Sequence, residues 1–267
     1  MPTLLKSAMR WLARRPSYML LTASDESLAA EPPGRFAGAS WGLMVLSLGF
    51  GMVLLLAASW SWSLFRDFGR LIMPTLAVTA VFVLWPFRRA MASLAELLAG
   101  RDTTTRALAA ATLVLFLAMC VLRASHANYH EYFLPRWLAW LRPENELLRV
   151  LLVMPLWGGV SMLLSARFAG AGADTEPAVA AFARGCGPLA MVACLAAVLY
   201  ITIQYFNFLP WYQLAISAAT LIVAVVGGAV LSRRTGGLTR RALLATSALT
   251  QLGFLAAYLA VRNLRLW

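Results

Sequence analysis

The chain has 267 residues, 61% of them hydrophobic and only 13% charged, with a formal net charge of +12. Soluble domains run nearer half apolar and a quarter charged, so one large water-soluble core is excluded: too little charge is present to cover its surface. The basic excess is 22 Arg against a single lysine, Lys6, spread between apolar runs rather than gathered in one patch. That distribution argues against a nucleic-acid partner and for loop arginines that set topology and meet the headgroups of a lipid bilayer.

Two regions follow: a cytoplasmic N-terminal segment, 1–35, and a single transmembrane helical domain, 36–267. In the first fifteen residues Lys6, Arg10 and Arg14 recur every four positions, with Leu4, Leu5, Ala8, Trp11 and Leu12 free for the other face. This predicts a basic amphipathic helix lying on the membrane surface. The apolar stretch after Arg14-Arg15 is too short before Asp25 and Glu26 for an export signal.

Charged residues punctuate the remainder, because placing one at mid-bilayer is costly. Uncharged runs cover 36–65, 71–87, 107–122, 150–166, 185–232 and 242–261. The shortest has 16 residues, roughly 24 Å as helix, and its flanking arginines can snorkel to the headgroups. The 48-residue run is too long for one span. It is interrupted by NFLPWYQ, Asn207 to Gln213, where Pro210 suits the first turn of a new helix. The prediction is an all-α polytopic membrane protein of about seven transmembrane helices. Alternate loops carry 15 and eight Lys and Arg, which places the N-terminus in the cytoplasm of an inner (plasma) membrane.

The loop 123–149 is the longest polar interruption and falls on the outer side. Pro135 and Pro143 can each open a helix there, the second leading into the fourth span. Within that span Pro155 and Gly158-Gly159 predict a kink or a close helix contact. Cys120, Cys186 and Cys194 form no C-x-x-C and are expected as small apolar residues in helices.

The sharpest chemical candidate is His126 with His130, both histidines of the chain at i and i+4, able to face one metal ion from a helix. Glu131 projects about a hundred degrees away. The competing reading is an interfacial aromatic belt with Tyr129, Tyr132 and Phe133. Tyr129, Glu131, Asn207 and Tyr212, with Gln204, Trp211, Gln213, Arg262 and Asn263 on the same side, are candidates for an outer pocket or for interfacial anchoring. Thr246, Ser247, Thr250 and Gln251 in the last span are expected to hydrogen-bond between helices.

No acid falls within a proposed span, which disfavours proton or sodium coupling. There is no Walker motif, no G-x-S-x-G and no H-E-x-x-H, and the 11 acids include no D-x-x-D able to hold Mg²⁺ against a phosphate. No cofactor follows from the residues.

The stretch LSRRTGGLTRRALLATSALTQLGFLAAYLA, Leu231 to Ala260, resembles the end of the cobalamin synthase (adenosylcobinamide-GDP ribazoletransferase) family, in a basic loop, a Gly-Gly-x-Thr turn and a final helix with a Leu-Gly pair. Gly236, Gly237, Thr239, Leu252 and Gly253 fill those places, and AMRWLARRPS is similarly placed to the family's opening. The resemblance covers about a third of the chain and implies a membrane transferase acting on a nucleotide-linked or corrinoid substrate. The family's Asp-rich metal-binding motif has no counterpart: that region reads LWPFRRAMASLAELLAGRD, with only Glu96 and Asp102. The leading expectation is therefore a non-enzymatic binding or assembly component that meets a membrane-protein partner through its outer loop. The alternatives are a diverged transferase of that family and a metal-binding or permease-like protein using the histidine pair.

Overall fold

The computed structural model describes residues 14–65, 72–85, 87–100, 102–125, 146–168, 175–205 and 210–265. Residues 1–13 of the expected surface helix and most of the 123–149 loop lie outside them.

All regular structure among the described residues is helical. Two short helices, α1 (Pro16–Thr22) and α2 (Asp25–Ala29), lead through a 3-10 turn (Pro33–Gly38) into α3 (Ala39–Leu64). Then come α4 (Ile72–Leu84), α5 (Arg88–Ala99), α6 (Thr103–Ser125), α7 (Glu146–Phe168), α8 (Pro177–Gly185), α9 (Pro188–Tyr205), α10 (Pro210–Arg234) and α11 (Arg240–Arg265). Among the described residues six helices are long and apolar enough to cross a membrane, seven if the bent pair α4 and α5 forms one span. The chain is an all-α polytopic membrane protein. Trp41 and Trp60, exposed near the two ends of α3, are separated by roughly 28 Å of helix, close to a hydrocarbon thickness of about 30 Å.

Contacts between helix ends fix the alternation. At one face Trp85, just after α4, donates from Nε1 to the Tyr18 hydroxyl of α1 (3.1 Å), and Arg234 at the end of α10 donates to the carbonyl of Leu97 in α5 (3.1 Å). At the other, Arg262 of α11 donates to the carbonyl of Arg123 in α6 (3.0 Å), and Arg149 of α7 to that of Tyr205 in α9 (3.0 Å). Hence α3, α6, α9 and α11 run from the N-terminal face, and α4, α7 and α10 run back to it. The 48-residue apolar run divides as expected, with Pro210 opening α10.

Helix α7 is the axis of the bundle. Of its 18-residue apolar core 94% is buried, against 22% for α6 and 17% for α9, whose remaining surface is left to lipid. It packs against α3, α9, α10 and α11. Small residues allow the approach: a Cβ on Gly51 of α3 would come 2.5 Å from the Leu152 carbonyl oxygen, and one on Gly158 would come 2.7 Å from Ser247 Oγ of α11. Pro155 lies inside α7 without ending it, so the close contact rather than a break is what the glycines provide. Trp157, fully buried, donates from Nε1 to Thr202 Oγ1 of α9 at 3.1 Å.

The structure departs from the sequence expectation at three places. The segments 88–106 and 167–184, expected as loops, contain α5 and α8. Both are amphipathic: α5 turns 78° from α4 and lays Ala90, Met91, Leu94 and Ala95 against the bundle, with its charges kept in water. Thr246 and Gln251 hydrogen-bond within α11, to the Ala242 carbonyl and to Ser247 Oγ, rather than between helices. Finally, Arg149 and Arg240 are buried, not lipid-facing.

Those two arginines share a role with Arg234 and Arg262. Each donates to a carbonyl near the C-terminal end of another helix, where the last carbonyls lack intrahelical partners. The guanidinium places positive charge at the negative end of the helix dipole and offers several donors in one plane. This gives the preponderance of arginine over lysine a structural use.

Candidate functional site

The N-terminal face is built up by short elements. Arg240, 2% exposed at the start of α11, donates to the carbonyls of Leu20 (2.8 Å), Ala23 (2.7 Å) and Met19 (3.2 Å), and to Asp25 Oδ1 (2.7 Å). These bonds cap α1 and hold α2 against the bundle. Ser17 Oγ ties α1 to the Ala39 carbonyl at 2.9 Å. Helix α8 packs on the 3-10 turn, where a Cβ on Gly185 would overlap the Ala37 carbonyl.

Between α10 and α11 the chain reverses through Thr235–Thr239. Gly237 N–H bonds the Ser232 carbonyl (3.0 Å) and Gly236 N–H that of Arg233 (3.3 Å), with Gly236 at φ 74. This is the glycine-dependent helix stop expected of a left-handed C′ residue. Thr239 Oγ1 accepts from Ala242 N–H (3.2 Å) and starts α11 as its N-cap.

Together these elements enclose a cleft of about 1110 Å³. One wall, from α2, the 3-10 turn and α8, presents Asp25, Glu31 and Glu176 beside Leu28 and Ala178. The other, from α5 and the α10–α11 turn, presents Arg234, Arg241 and Glu96 beside Leu97, Gly236 and Thr239. Most of these charges are paired: Arg240 with Asp25, Arg241 Nη1 with Glu96 Oε1 (3.1 Å), and Arg35 with Glu31. Among the described residues Glu176 has no such partner.

Four acids from three separate segments of the sequence meet on this face. The signal available was the alternation of spans, which places segments 25–31, 96 and 176 on the same side. No group of three or more His, Cys, Asp or Glu among the described residues is arranged to hold a metal ion.

The expected outer sites are mostly elsewhere. His126, Tyr129, His130, Glu131 and Asn207 lie outside the described residues. Tyr212 sits in the first turn of α10 at the opposite face, half-buried against the core, beside an exposed Trp211 and a buried Gln213. The cysteines are all free and buried, Cys120 in α6, Cys194 in α9 and Cys186 between α8 and α9. Burial pushes the Cys186 thiol up to about 12, with nearby Cys194 adding to the shift.

No family model, curated protein or solved structure matches the chain.

Proposed function

We propose that this chain is a non-catalytic binding component of a membrane assembly and that the N-terminal-face cleft is where it binds. One observation carries the reading: a large cleft whose walls carry both charge signs and apolar patches, with three of its four carboxylates paired to arginine. Paired carboxylates are held in place as recognition groups rather than left to act as bases or to gather around a metal. The distribution of Lys and Arg, 15 against eight, supports a cytoplasmic location for this face in an inner membrane. The outer loop 123–149 is a second contact surface, for a membrane-protein partner, on the strength of its aromatic and charged sequence.

Native mass spectrometry of the full chain released from its own membranes tests this. The expected spectrum shows a retained non-covalent mass that disappears in Ala29→Trp, which places a bulky ring at an exposed lining position of the cleft, while the thermal midpoint is kept. A bare polypeptide mass, or an added mass indifferent to Ala29→Trp, overturns the reading.

A second reading, a transferase of the cobalamin synthase type, is favoured by one observation. Gly236 and Thr239, which carry the resemblance, line the cleft beside Arg234 and Arg241. Binding of GDP with Mg²⁺ to the purified chain, lost in Arg241→Gln, would support it; absence of binding at millimolar nucleotide would remove it.

A further inference from the structure

We propose that the cleft seats the headgroup of a zwitterionic phospholipid bearing a primary ammonium. The inference rests on the binding reading above and names its ligand. The lining residues Arg234 and Arg241 stand at or beside the ends of membrane-crossing α10 and α11, and exposed Trp41 and Trp85 lie at the same end of the bundle. The cleft therefore opens at headgroup depth.

Its charges are divided between walls. Arg234 donates from Nη1 to the Leu97 carbonyl and Arg241 from Nη1 to Glu96. Each guanidinium has five N–H donors, so both keep donors for a phosphate. Glu176, lining the same cleft with Asp25 and Glu31, is an acceptor without an ion-pair partner among the described residues. A phosphodiester alone would meet the arginines and leave the Glu176 carboxylate without a hydrogen-bond donor, Arg240 reaching it only as a charge through space. A quaternary ammonium would bring charge but no N–H to donate. A primary ammonium a few bonds from the phosphate answers both charge signs, and Ala29, Pro33 and Leu97 offer apolar surface to the glycerol and upper acyl chains.

The test uses the full chain in detergent, offered equal amounts of phosphatidylethanolamine, phosphatidylcholine and phosphatidylglycerol with identical acyl chains and read by native mass spectrometry. Wild type should retain phosphatidylethanolamine roughly tenfold over each of the others, the discrimination one charge-assisted hydrogen bond provides. Glu176→Gln should erase the preference over phosphatidylcholine while some lipid is still held. The pair Arg234→Gln and Arg241→Gln should lose retention of all three, with thermal midpoints confirming folded protein. Equal retention of the three lipids by wild type, or an undiminished preference in Glu176→Gln, overturns the proposal. So does complete displacement by millimolar glycerophosphoethanolamine, which would make the ligand a soluble zwitterion. A retained mass of other chemistry, removed by Ala29→Trp, would sink the lipid and leave the binding reading standing.

Discussion

Gly185 and Ala37 touch backbone to backbone: a methyl group on Gly185 would overlap the Ala37 carbonyl and come 2.6 Å from its Cα. Neither atom is the end of a flexible side chain, so α8 would have to leave the 3-10 turn. Gly185→Ala should destabilise the folded chain by about 3 kcal/mol, the upper range for overpacking. Gly38→Ala, with open space around it, should stay within about 0.5 kcal/mol. Thermal midpoints in detergent separate the two, and equal midpoints would refute the contact.

Arg240 is the second test. Arg240→Ala strips the Leu20 and Ala23 carbonyls and Asp25 of their donor and should cost about 3 kcal/mol, because buried acceptors are left unmade. Asp25→Asn should cost at most about 1 kcal/mol, since that side chain is 74% exposed. Limited proteolysis between residues 14 and 38 should accelerate in Arg240→Ala alone.

Asp102 precedes α6 and accepts from the Thr105 hydroxyl and from Thr105 N–H (2.7 Å). The hydroxyl first, then that backbone bond, hold its carboxyl below the ordinary value of 3.8. A depressed folded value means that the contribution to stability is complete above the unfolded pKa and is lost as pH falls through the folded one. The midpoint gap between wild type and Asp102→Ala should therefore be constant near neutrality and shrink only at strongly acid pH. A gap that instead shrinks on raising pH toward 9 would show that the carboxylate is not the group responsible.

Cys186 should be inert to alkylation. With its thiol near 12 and its side chain buried, almost no thiolate exists at pH 7.5. N-ethylmaleimide should leave the folded chain unmodified and add three labels after denaturation in SDS, counted by intact mass. Rapid labelling of the native protein would contradict the burial of all three cysteines.

The crossings were legible because charge is so costly in hydrocarbon that arginines mark where each one stops, and Pro210 marked the division of the longest run. Helices α5 and α8 were not legible, since 12 residues of mixed charge and nine with a single arginine read as loops until another surface exists for Met91 or Phe182 to cover. The carbonyl partners of Arg149, Arg234, Arg240 and Arg262 leave no trace in sequence, because every residue carries a carbonyl. Likewise Glu176 gives no local hint of Arg241: the cleft exists only through packing of segments far apart in the chain. The outer candidates His126 and His130 rest on their spacing alone.

Helix α7 is synthesised fourth among the crossings, yet it is the one the others enclose. On the ribosome α3, α4 and α6 must enter the bilayer while the groove opposite Gly51 still faces acyl chains. Lipid must then be expelled when the fourth segment arrives, and the last three must close around it. Biogenesis thus passes through a half-barrel with an open side, and substitutions at Gly51 or Gly158 should lower yield by prolonging that state and exposing it to quality-control proteolysis.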